Sequence, residues 1–198
     1  MSRHSGILIL AGSTRAASLN RRVAQRAFAA ALALGLEATL IDLRDYVLPL
    51  YDGDFEHREG APANVARLRT QLKQHPIWLI ASPDYNSSIS PLVKNAIDWV
   101  SRPVGDEHYV TCFKDKVVGL MSSSPGNSGG SRGLPHLRHV LTHLGATAVE
   151  TQLLVPKGHE AFDAAGALHD AEKQRELERF IRGIAAMDSA VASASDRC

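Results

Sequence analysis

The 198-residue chain has few cysteines, little net charge and no long apolar run. Its two cysteines, Cys112 and Cys198, form no CxxC pair, which argues against a disulfide framework and favours free thiols in a reducing compartment. The 22 Lys and Arg residues balance 21 Asp and Glu residues, so a net charge of +1 indicates no surface dedicated to nucleic acid. No apolar run approaches the roughly 18 residues of a membrane helix, and no signal-peptide pattern is present. We therefore expect a cytoplasmic protein that binds neither nucleic acid nor a membrane.

Two common nucleotide-binding fingerprints are missing as well. The chain contains neither the GxGxxG of Rossmann domains nor the GxxxxGK of P-loop NTPases, which disfavours both classes. Asp42 ends a candidate strand at the place where a Rossmann domain holds a ribose. Without the glycine fingerprint, we interpret Asp42 as a strand-end or turn carboxylate.

What the sequence does contain is a regular alternation of apolar strand-like runs with longer helix-like segments. Candidate strands lie at residues 7–11, 38–42, 77–81, 117–122 and 146–150. Candidate helices lie at residues 18–34, 63–74, 91–101, 131–144 and 170–191. Near-continuous runs of Val, Ile, Leu and Ala are typical of parallel strands covered on both faces. The pattern predicts an α/β three-layer sandwich with a five-stranded parallel sheet in the flavodoxin-like order 2-1-3-4-5.

Glycine and proline mark several predicted element ends. Gly35 and Gly145 lie where helix C-caps are expected, and Pro91 suits a first helical turn. Residues 50–62 are polar and contain glycine, which predicts a loop. We expect one domain, residues 1–198, in which about residues 188–198 form a flexible tail.

A polar loop follows the first predicted strand. This first loop, residues 12–20, reads GSTRAASLN and leads into a helix. A helix N-terminus supplies free N–H groups and a positive dipole end, to which Ser13 and Ser18 add hydroxyls and Arg15 adds a planar set of donors. Such donors suit a phosphate, although the same residue types also serve as ordinary turn and capping residues.

Two further loops follow the third and fourth predicted strands. The second loop, residues 82–88, reads SPDYNSS, and the third loop, residues 122–130, reads SSSPGNSGG. A turn in the second loop can present backbone N–H groups to the polar edge of a heterocycle, while Tyr85 offers a flat apolar face. Each loop alone also fits an ordinary turn. Because the carboxyl ends of parallel strands meet at one sheet edge, the three together predict a phosphorylated aromatic ligand.

The same segments resemble the NADPH-dependent FMN reductase family. The residues PDYNSS at 83–88 and LVKNAIDW at 92–99 are similar to its P-E-Y-N-x-S and L-K-N-A-I-D-W signature. The first loop is similar to its G-S-x-R-x-x-S-x-N phosphate loop, and residues 48–52 and 124–132 match further segments. The likeness runs from about residue 7 to 150 in the same order. Asp84 stands where the family usually has Glu, and Ser90-Pro91 where Pro-Gly is common.

The resemblance implies a flavodoxin-like fold, bound FMN, and NADPH or NADH as the electron donor. Electrons then pass through FMN to a small-molecule acceptor such as a quinone, free flavin, an azo compound or chromate. No side chain is assigned a catalytic role, because the flavin carries the chemistry. The residues implied to bind FMN are Ser13, Arg15, Ser18, Leu19 and Asn20 at the phosphate, Pro83, Asp84, Tyr85, Asn86 and Ser87 at the isoalloxazine, and Ser122, Ser124 and Gly126 on its other side.

The resemblance also implies self-association as a dimer or a tetramer. We expect the helix at residues 131–144 or at 91–101 to form the contact, and residues 48–55 to approach the flavin of a second copy. Tyr51 and Phe55 motivate this expectation, since the sequence offers them no obvious core and exposed aromatic residues often mark interfaces.

Two other functions stay open from the sequence. A flavodoxin-like electron carrier without its own NAD(P)H oxidation is the main alternative, but such carriers are typically strongly acidic and this chain is not. A regulatory protein that keeps the fold without turnover is the other. Measuring NAD(P)H oxidation with and without an acceptor separates the three.

Some residues are set aside. His136, His139 and His143 share one helical face, but no carboxylate or Cys partner for zinc stands out, so we assign no metal and favour an exposed or subunit-contact face. Asn95 and Trp99 are expected to pack a helix against a loop rather than to contact substrate.

Overall fold

The computed structural model describes residues 6–195, with side chains up to residue 187. The strands are β1 (Ile7–Ala11), β2 (Ala38–Ile41), β3 (Ile77–Ala81), β4 (Val117–Ser123) and β5 (Thr147–Val155). The α-helices are α1 (Leu19–Ala33), α2 (Gly53–Glu59), α3 (Ala63–Gln74), α4 (Pro91–Val100), α5 (Leu134–His143) and α6 (Ala171–Ser195). A 3₁₀ helix, Leu43–Asp45, follows β2.

The five strands form one parallel sheet in the order β2-β1-β3-β4-β5. This is the predicted flavodoxin-like order, and it is confirmed. Ala11 at the end of β1 pairs with Ala81 at the end of β3, and Ala81 pairs with Met121 in β4. The first, second and third loops therefore leave the sheet at the same edge.

Alternate residues of the strands face two separate cores. On β1, Ile7 and Ile9 pack in a cluster with α1 and α6, whereas Leu8 and Leu10 pack in a cluster with α3, α4 and α5. Because both faces are covered, each position along the strand must be apolar. This burial explains the continuous apolar runs and confirms the three-layer α/β sandwich.

Two predicted boundaries move by several residues. The predicted helix at 131–144 begins only at Leu134. Residues 131–133 still form turns, directly after Gly129 and Gly130, which have left-handed φ values of +60° and +83°. Strand β5 runs to Val155 rather than to residue 150, since after an irregularity it pairs with the far end of β4.

The predicted loop at residues 50–62 is wrong for its central part, which forms α2. Asp52 caps this helix, and its carboxylate accepts hydrogen bonds from two backbone N–H groups at 2.8 and 3.0 Å. Gly60, with a φ of +76°, ends it. An Asp before the helix and a Gly after it are standard boundary signals, so the sequence did contain evidence for α2.

Other predicted boundaries agree with the structure. Gly35 and Gly145 follow α1 and α5 with φ values of +75° and +90°, as a C-cap requires. Pro91 lies in the first turn of α4. The backbone of α6 continues to Ser195, whereas the flexibility expected of residues 188–198 and the single-domain organisation stay predictions. Residues 196–198 lie outside the described residues.

Candidate functional site

Backbone contacts join the three loops at the C-terminal edge of the sheet. The N–H of Gly12 donates to the carbonyl of Ala81 at 2.9 Å, and the N–H of Ser82 donates to the carbonyl of Met121 at 2.9 Å. The hydroxyl of Ser122 donates to the carbonyl of Ser82 at 2.8 Å. The fold therefore brings together the three segments that the sequence singled out.

The first loop ends on a capped helix N-terminus. The hydroxyl oxygen of Ser18 accepts the N–H of Arg21 at 3.2 Å, which confirms Ser18 as the N-cap of α1. The first turn of α1 contains no acidic residue. Leu19 and Asn20 open the helix, and their N–H groups have no partner within it. This end of the helix is consequently a local source of positive potential.

The exposed part of the first loop adds side-chain donors. Thr14 and Arg15 are exposed, and within the described residues no hydrogen bond or ion pair involves the guanidinium of Arg15. The nearby carboxylate of Asp42 is bonded to Arg21 at 3.0 Å and to Arg44 at 2.7 Å, and the hydrogen bond from Arg44 holds its pKa below the usual range. The donors of the loop thus fit a phosphate group.

Four members of the predicted phosphate set, all except Arg15, are buried. The Ser13 hydroxyl accepts the N–H of Arg15 at 3.4 Å, and Leu19 packs beneath Gly158. The side-chain amide of Asn20 is bonded at both ends to the backbone of Ser123. Leu19 and Asn20 can therefore reach a ligand only through their backbone N–H groups.

Gly12 lies where helix α4 approaches the sheet edge. A Cβ added at Gly12 would lie 2.3 Å from Cγ2 of Val93, so only glycine fits there. The hydroxyl of Ser90 donates to the carbonyl of Gly12 at 2.8 Å and accepts the N–H of Val93 at 3.3 Å. Ser90, at a departure from the family pattern, therefore caps α4 and ties it to the first loop.

A tight turn forms the centre of the second loop. The backbone groups of Tyr85 and Ser88 exchange hydrogen bonds at 2.9 and 3.0 Å. Asn86 and Ser87, between them, have φ values of 55° and 64°, as in a type I′ turn. The carboxylate of Asp84 accepts the N–H of Ser87 at 2.8 Å.

The tip of this turn faces solvent, and its base is buried. Tyr85, Asn86 and Ser87 are exposed, whereas Pro83 is buried against the first loop. Left-handed conformations at non-glycine residues cost free energy and cluster at functional sites. The second loop is therefore a rigid, exposed edge beside the first loop.

The third loop packs on the second through its glycines. A Cβ at Gly130 would lie 2.2 Å from Oγ of Ser122 within the loop and 3.5 Å from Cβ of Asp84 in the second loop, and one at Gly133, just past the third loop, would lie 2.7 Å from the carbonyl oxygen of Ser88. Around Gly126, in contrast, an added Cβ would meet nothing within 4 Å. The third loop thus keeps open space on one side while its base is fixed, which suits a loop that covers a ligand.

A fourth segment, which sequence reasoning missed, supports the third loop. After β5, the N–H of Lys157 donates to the carbonyl of Gly126 at 3.1 Å, and the N–H of Gly158 donates to the carbonyl of Ser124 at 2.9 Å. Lys157 has a φ of 48°. The signal available in the sequence was the Pro-Lys-Gly that follows the last apolar run.

Asn95 and Trp99 hold the segment after β2 against α4, as predicted. The Asn95 side chain accepts the N–H of Tyr51 at 2.7 Å, and the Trp99 indole donates to the carbonyl of Pro49 at 2.8 Å. The rings of Tyr51 and Phe55 pack edge-on against Trp99, at centroid distances of 5.1 and 6.2 Å. The expectation that these two aromatic residues have no core of their own is therefore wrong.

The remaining candidates are not part of the three loops. His136, His139 and His143 are exposed, and Nδ1 of His136 lies 3.1 Å from the hydroxyl of Ser88. Cys112 is a fully buried free thiol, and burial raises its pKa, which makes it a poor nucleophile. Asp42 accepts the N–H of Arg44 at 2.9 Å, as expected of a turn carboxylate.

The described residues form neither a metal site nor a membrane-spanning helix. Among residues 6–187, no three His, Cys, Asp or Glu side chains gather in an arrangement that could hold a metal ion. No helix in the same part of the chain combines the length and apolar character needed to cross a membrane.

Known proteins share both this sequence pattern and this fold. The model of the family described as NADPH-dependent FMN reductase matches residues 6–160. An NAD(P)H-dependent FMN reductase from Pseudomonas aeruginosa is 34% identical over 178 residues, which cover 89% of this chain and 91% of that protein. A quinone reductase from Escherichia coli is 38% identical over 146 residues, or 74% of each chain. The structure of a flavoenzyme NAD(P)H:acceptor oxidoreductase from Paracoccus denitrificans matches with a TM-score of 0.80 at 26% identity, covering 93% of this chain and 97% of that one.

These matches span the strands and loops that form the site, and they agree with its fit to a phosphate. The chain therefore belongs to the NADPH-dependent FMN reductase family and is an FMN-dependent NAD(P)H oxidoreductase.

Proposed function

We propose that this oxidoreductase passes electrons from NAD(P)H to a quinone while the first, second and third loops hold FMN between them. The observation that carries this proposal is the capped N-terminus of α1, with its exposed donors, beside the rigid turn of the second loop at one sheet edge. Relatives named quinone reductase support a quinone as the acceptor. Free flavin, an azo compound and chromate are the other acceptors to compare in an assay.

The first loop binds the phosphate in this proposal. The N–H groups of Leu19 and Asn20 and the hydroxyls of Ser13 and Ser18 supply neutral donors. Arg15 adds a charge-assisted hydrogen bond, which is roughly twice as strong as a neutral one. The absence of a carboxylate from residues 12–20 avoids repulsion of the anion.

The other two loops orient the ring. The peptide groups of the turn from Asp84 to Ser87 would hold the polar edge of the isoalloxazine, and the exposed ring of Tyr85 would supply apolar surface, whereas the buried Pro83 holds the loop against Gly12. Asn86 contributes through its left-handed backbone. The segment from Ser124 to Gly126 closes the other side, and Ser122 acts indirectly, since its hydroxyl holds the second loop.

Bound FMN supplies the redox chemistry, since it accepts two electrons from a nicotinamide and releases them to an acceptor. The residues of the chain bind and orient. The hydrogen bond from the N–H of Ser87 to Asp84 keeps the turn rigid, so little reorganisation is needed at the donor groups that face the ring.

Steady-state kinetics test the proposed activity. Donor and acceptor that use one open face in turn give ping-pong kinetics, so initial rates at varied NAD(P)H and quinone should give parallel double-reciprocal lines. Intersecting lines would indicate a ternary complex instead. A protein that binds FMN but oxidises no NAD(P)H with any acceptor would be an electron carrier, a role that the near-neutral charge of this chain disfavours.

Replacement of Arg15 tests the phosphate site. Arg15→Ala should weaken FMN binding by about tenfold or more, the worth of a hydrogen bond to a charged group, and leave riboflavin binding unchanged. The measurement is a flavin fluorescence titration, with circular dichroism to confirm the fold. Arg58→Ala, at an exposed position in α2, is the matched control. Equal FMN affinities of the wild type and Arg15→Ala would show that Arg15 does not bind the phosphate.

We propose with this function that the protein assembles as a dimer or a tetramer in the cytoplasm. Two side chains in the segment after β2 support the assembly, because Val47 is 72% exposed and Leu50 is 80% exposed. A groove of about 260 Å³ lies beside them, lined by Val47 together with Thr14 and residues of α4. The buried free thiol of Cys112 suits a reducing compartment.

A further inference from the structure

The side chain of Asn20 completes the sheet at the point where β3 leaves it. Its amide nitrogen donates to the carbonyl of Ser123 at 2.9 Å, and its carbonyl oxygen accepts the N–H of Ser123 at 3.0 Å. Asn20 is only 3% exposed and Ser123 is also 3% exposed. Both hydrogen bonds are therefore buried, and the pair forms a two-point contact between α1 and β4.

The geometry of the sheet explains why these two backbone groups need a partner. The N–H of Ser82 donates to the carbonyl of Met121, so Met121 points its peptide groups toward β3. Ser123 lies two residues further along and points the same way. The carbonyl of Ser82 accepts the hydroxyl of Ser122 instead of the N–H of Ser123, and beyond Ser82 the chain turns into the second loop. The amide of Asn20 thus takes the place of a further β3 residue.

This contact connects two parts of the proposed FMN site. Asn20 lies in the first turn of α1, whose N–H groups hold the phosphate in the proposed function, and Ser123 is the last residue of β4 before the open part of the third loop. The hydroxyl of Ser123 also donates to the carbonyl of Val155 at 2.8 Å, which ties the same point to β5. A side chain without both a donor and an acceptor cannot replace this link.

We propose that Asn20 is a positioning residue, which holds the helix N-terminus and the third loop in register for FMN, and not a direct side-chain ligand of the phosphate. This inference rests on the proposed function of the first loop. Because the amide contacts only backbone, it acts through the distance between α1 and β4. Its loss leaves the donors of the first loop chemically intact but no longer fixed relative to the third loop.

The test combines flavin affinity with hydrogen exchange of the apoprotein. Asn20→Ala should raise the dissociation constant for FMN by about tenfold, as expected from the loss of one or two buried hydrogen bonds, and change that for riboflavin by far less. In the absence of flavin, the amide of Ser123 should exchange faster in this variant. Gln25→Ala, at an exposed position of the same helix, is the control and should change neither quantity.

Each possible result either supports the proposed role of Asn20 or contradicts it. Selective loss of FMN affinity with unchanged exchange at Ser123 would make Asn20 a direct ligand and overturn the proposal. Equal losses for FMN and riboflavin, or no loss, would also overturn it. If Asn20→Ala fails to fold, Asn20→Asp replaces it in the test, because Asp keeps the acceptor but not the donor. The Ser123 N–H keeps its hydrogen-bond partner in Asn20→Asp, so it should stay more protected from hydrogen exchange than in Asn20→Ala. If Arg15→Ala also binds FMN like the wild type, the proposed phosphate loop fails instead.

Discussion

Gly12 shows how strongly a single residue constrains the candidate site. It has no Cβ because Val93, in the first turn of α4, occupies that space. The same close approach lets Ser90 reach the carbonyl of Gly12. A small residue in the first loop is thus explained by packing between β1 and α4, and it sets how near the helix comes to the site.

We predict that Gly12→Ala destabilises the apoprotein by about 1–3 kcal/mol, the usual cost of overpacking. The added Cβ would lie 2.3 Å from Cγ2 of Val93, so either the helix or the loop must shift. Urea denaturation measures the change. Combining it with Val93→Ala should recover part of the loss, because the clashing methyl group is gone.

Gly183→Ala in α6 is the control for this prediction, since an added Cβ there would meet nothing within 4 Å. It should stabilise the protein slightly, as Ala does in a helix interior. If Gly12→Ala were as stable as the wild type, the first loop would adapt to the added methyl group without cost, and the close contact with Val93 would not fix the position of α4.

At the scale of elements, ion pairs attach the segment between α4 and β4 to α3. The buried guanidinium of Arg69 donates to the carbonyls of Val100 and Arg102 and pairs with Glu107. Lys73 pairs with the same carboxylate. The hydrogen bond from Lys73 is the largest cause that holds the pKa of Glu107 below its usual range, and Arg69 adds to it.

This shift predicts a dependence of stability on pH. Because the pKa of Glu107 is lower in the folded protein, its contribution is present above the ordinary Glu pKa of about 4.3 and is lost as the pH falls through the folded value. Glu107→Gln should therefore lower the free energy of unfolding near pH 7, by no more than about 1 kcal/mol since the group is partly exposed. The difference from the wild type should shrink toward pH 3.

Denaturant unfolding at both pH values checks this expectation. Glu172→Gln is the matched control, because Glu172 pairs with Arg175 and Arg179 on the exposed face of α6 and should contribute nothing measurable. A difference between Glu107→Gln and the wild type that is the same at pH 7 and pH 3 would rule out the ion pairs as its source.

At the scale of the whole molecule, the two most exposed large apolar side chains of the described residues lie after β2. Tyr51 and Phe55 are held by Trp99 within the chain, whereas Val47 and Leu50 extend into solvent. Exposed apolar side chains beside a groove are typical of an interface. The exposed side chains of Val47 and Leu50, rather than the rings of Tyr51 and Phe55, are therefore the reason to expect self-association.

We predict that light scattering at micromolar concentration gives a mass two or four times the 21.4 kDa of one chain. Leu50→Arg should lower that mass, because a charge cannot be buried without a partner. Leu32→Arg, at a half-exposed position on α1, should leave the mass unchanged. A fully active species near 21.4 kDa would show that one chain completes the site.

The sequence by itself determined the strand order and the three loops. Strands covered on both faces require continuous apolar runs, and the carboxyl ends of parallel strands meet at one edge, so motif positions along the chain translate directly into a site. Capping also follows local rules, which is why Ser18, Gly35 and Gly145 are where the sequence predicts them. Helix α2 follows the same rules, since Asp52 caps its start and Gly60 ends it.

Only the tertiary structure decided which polar residues face a ligand and which hold the loops. Asn20 and Ser122 belong to the same predicted set of FMN-binding residues as Arg15. Their side chains, however, are hydrogen-bonded to the backbone of Ser123 and Ser82. The need for Asn20 arises from the backbone groups of Ser123 in β4, beyond the end of β3 and 103 residues from Asn20. No local pattern encodes such a need, because a buried N–H or carbonyl takes its partner from whatever the fold places nearby.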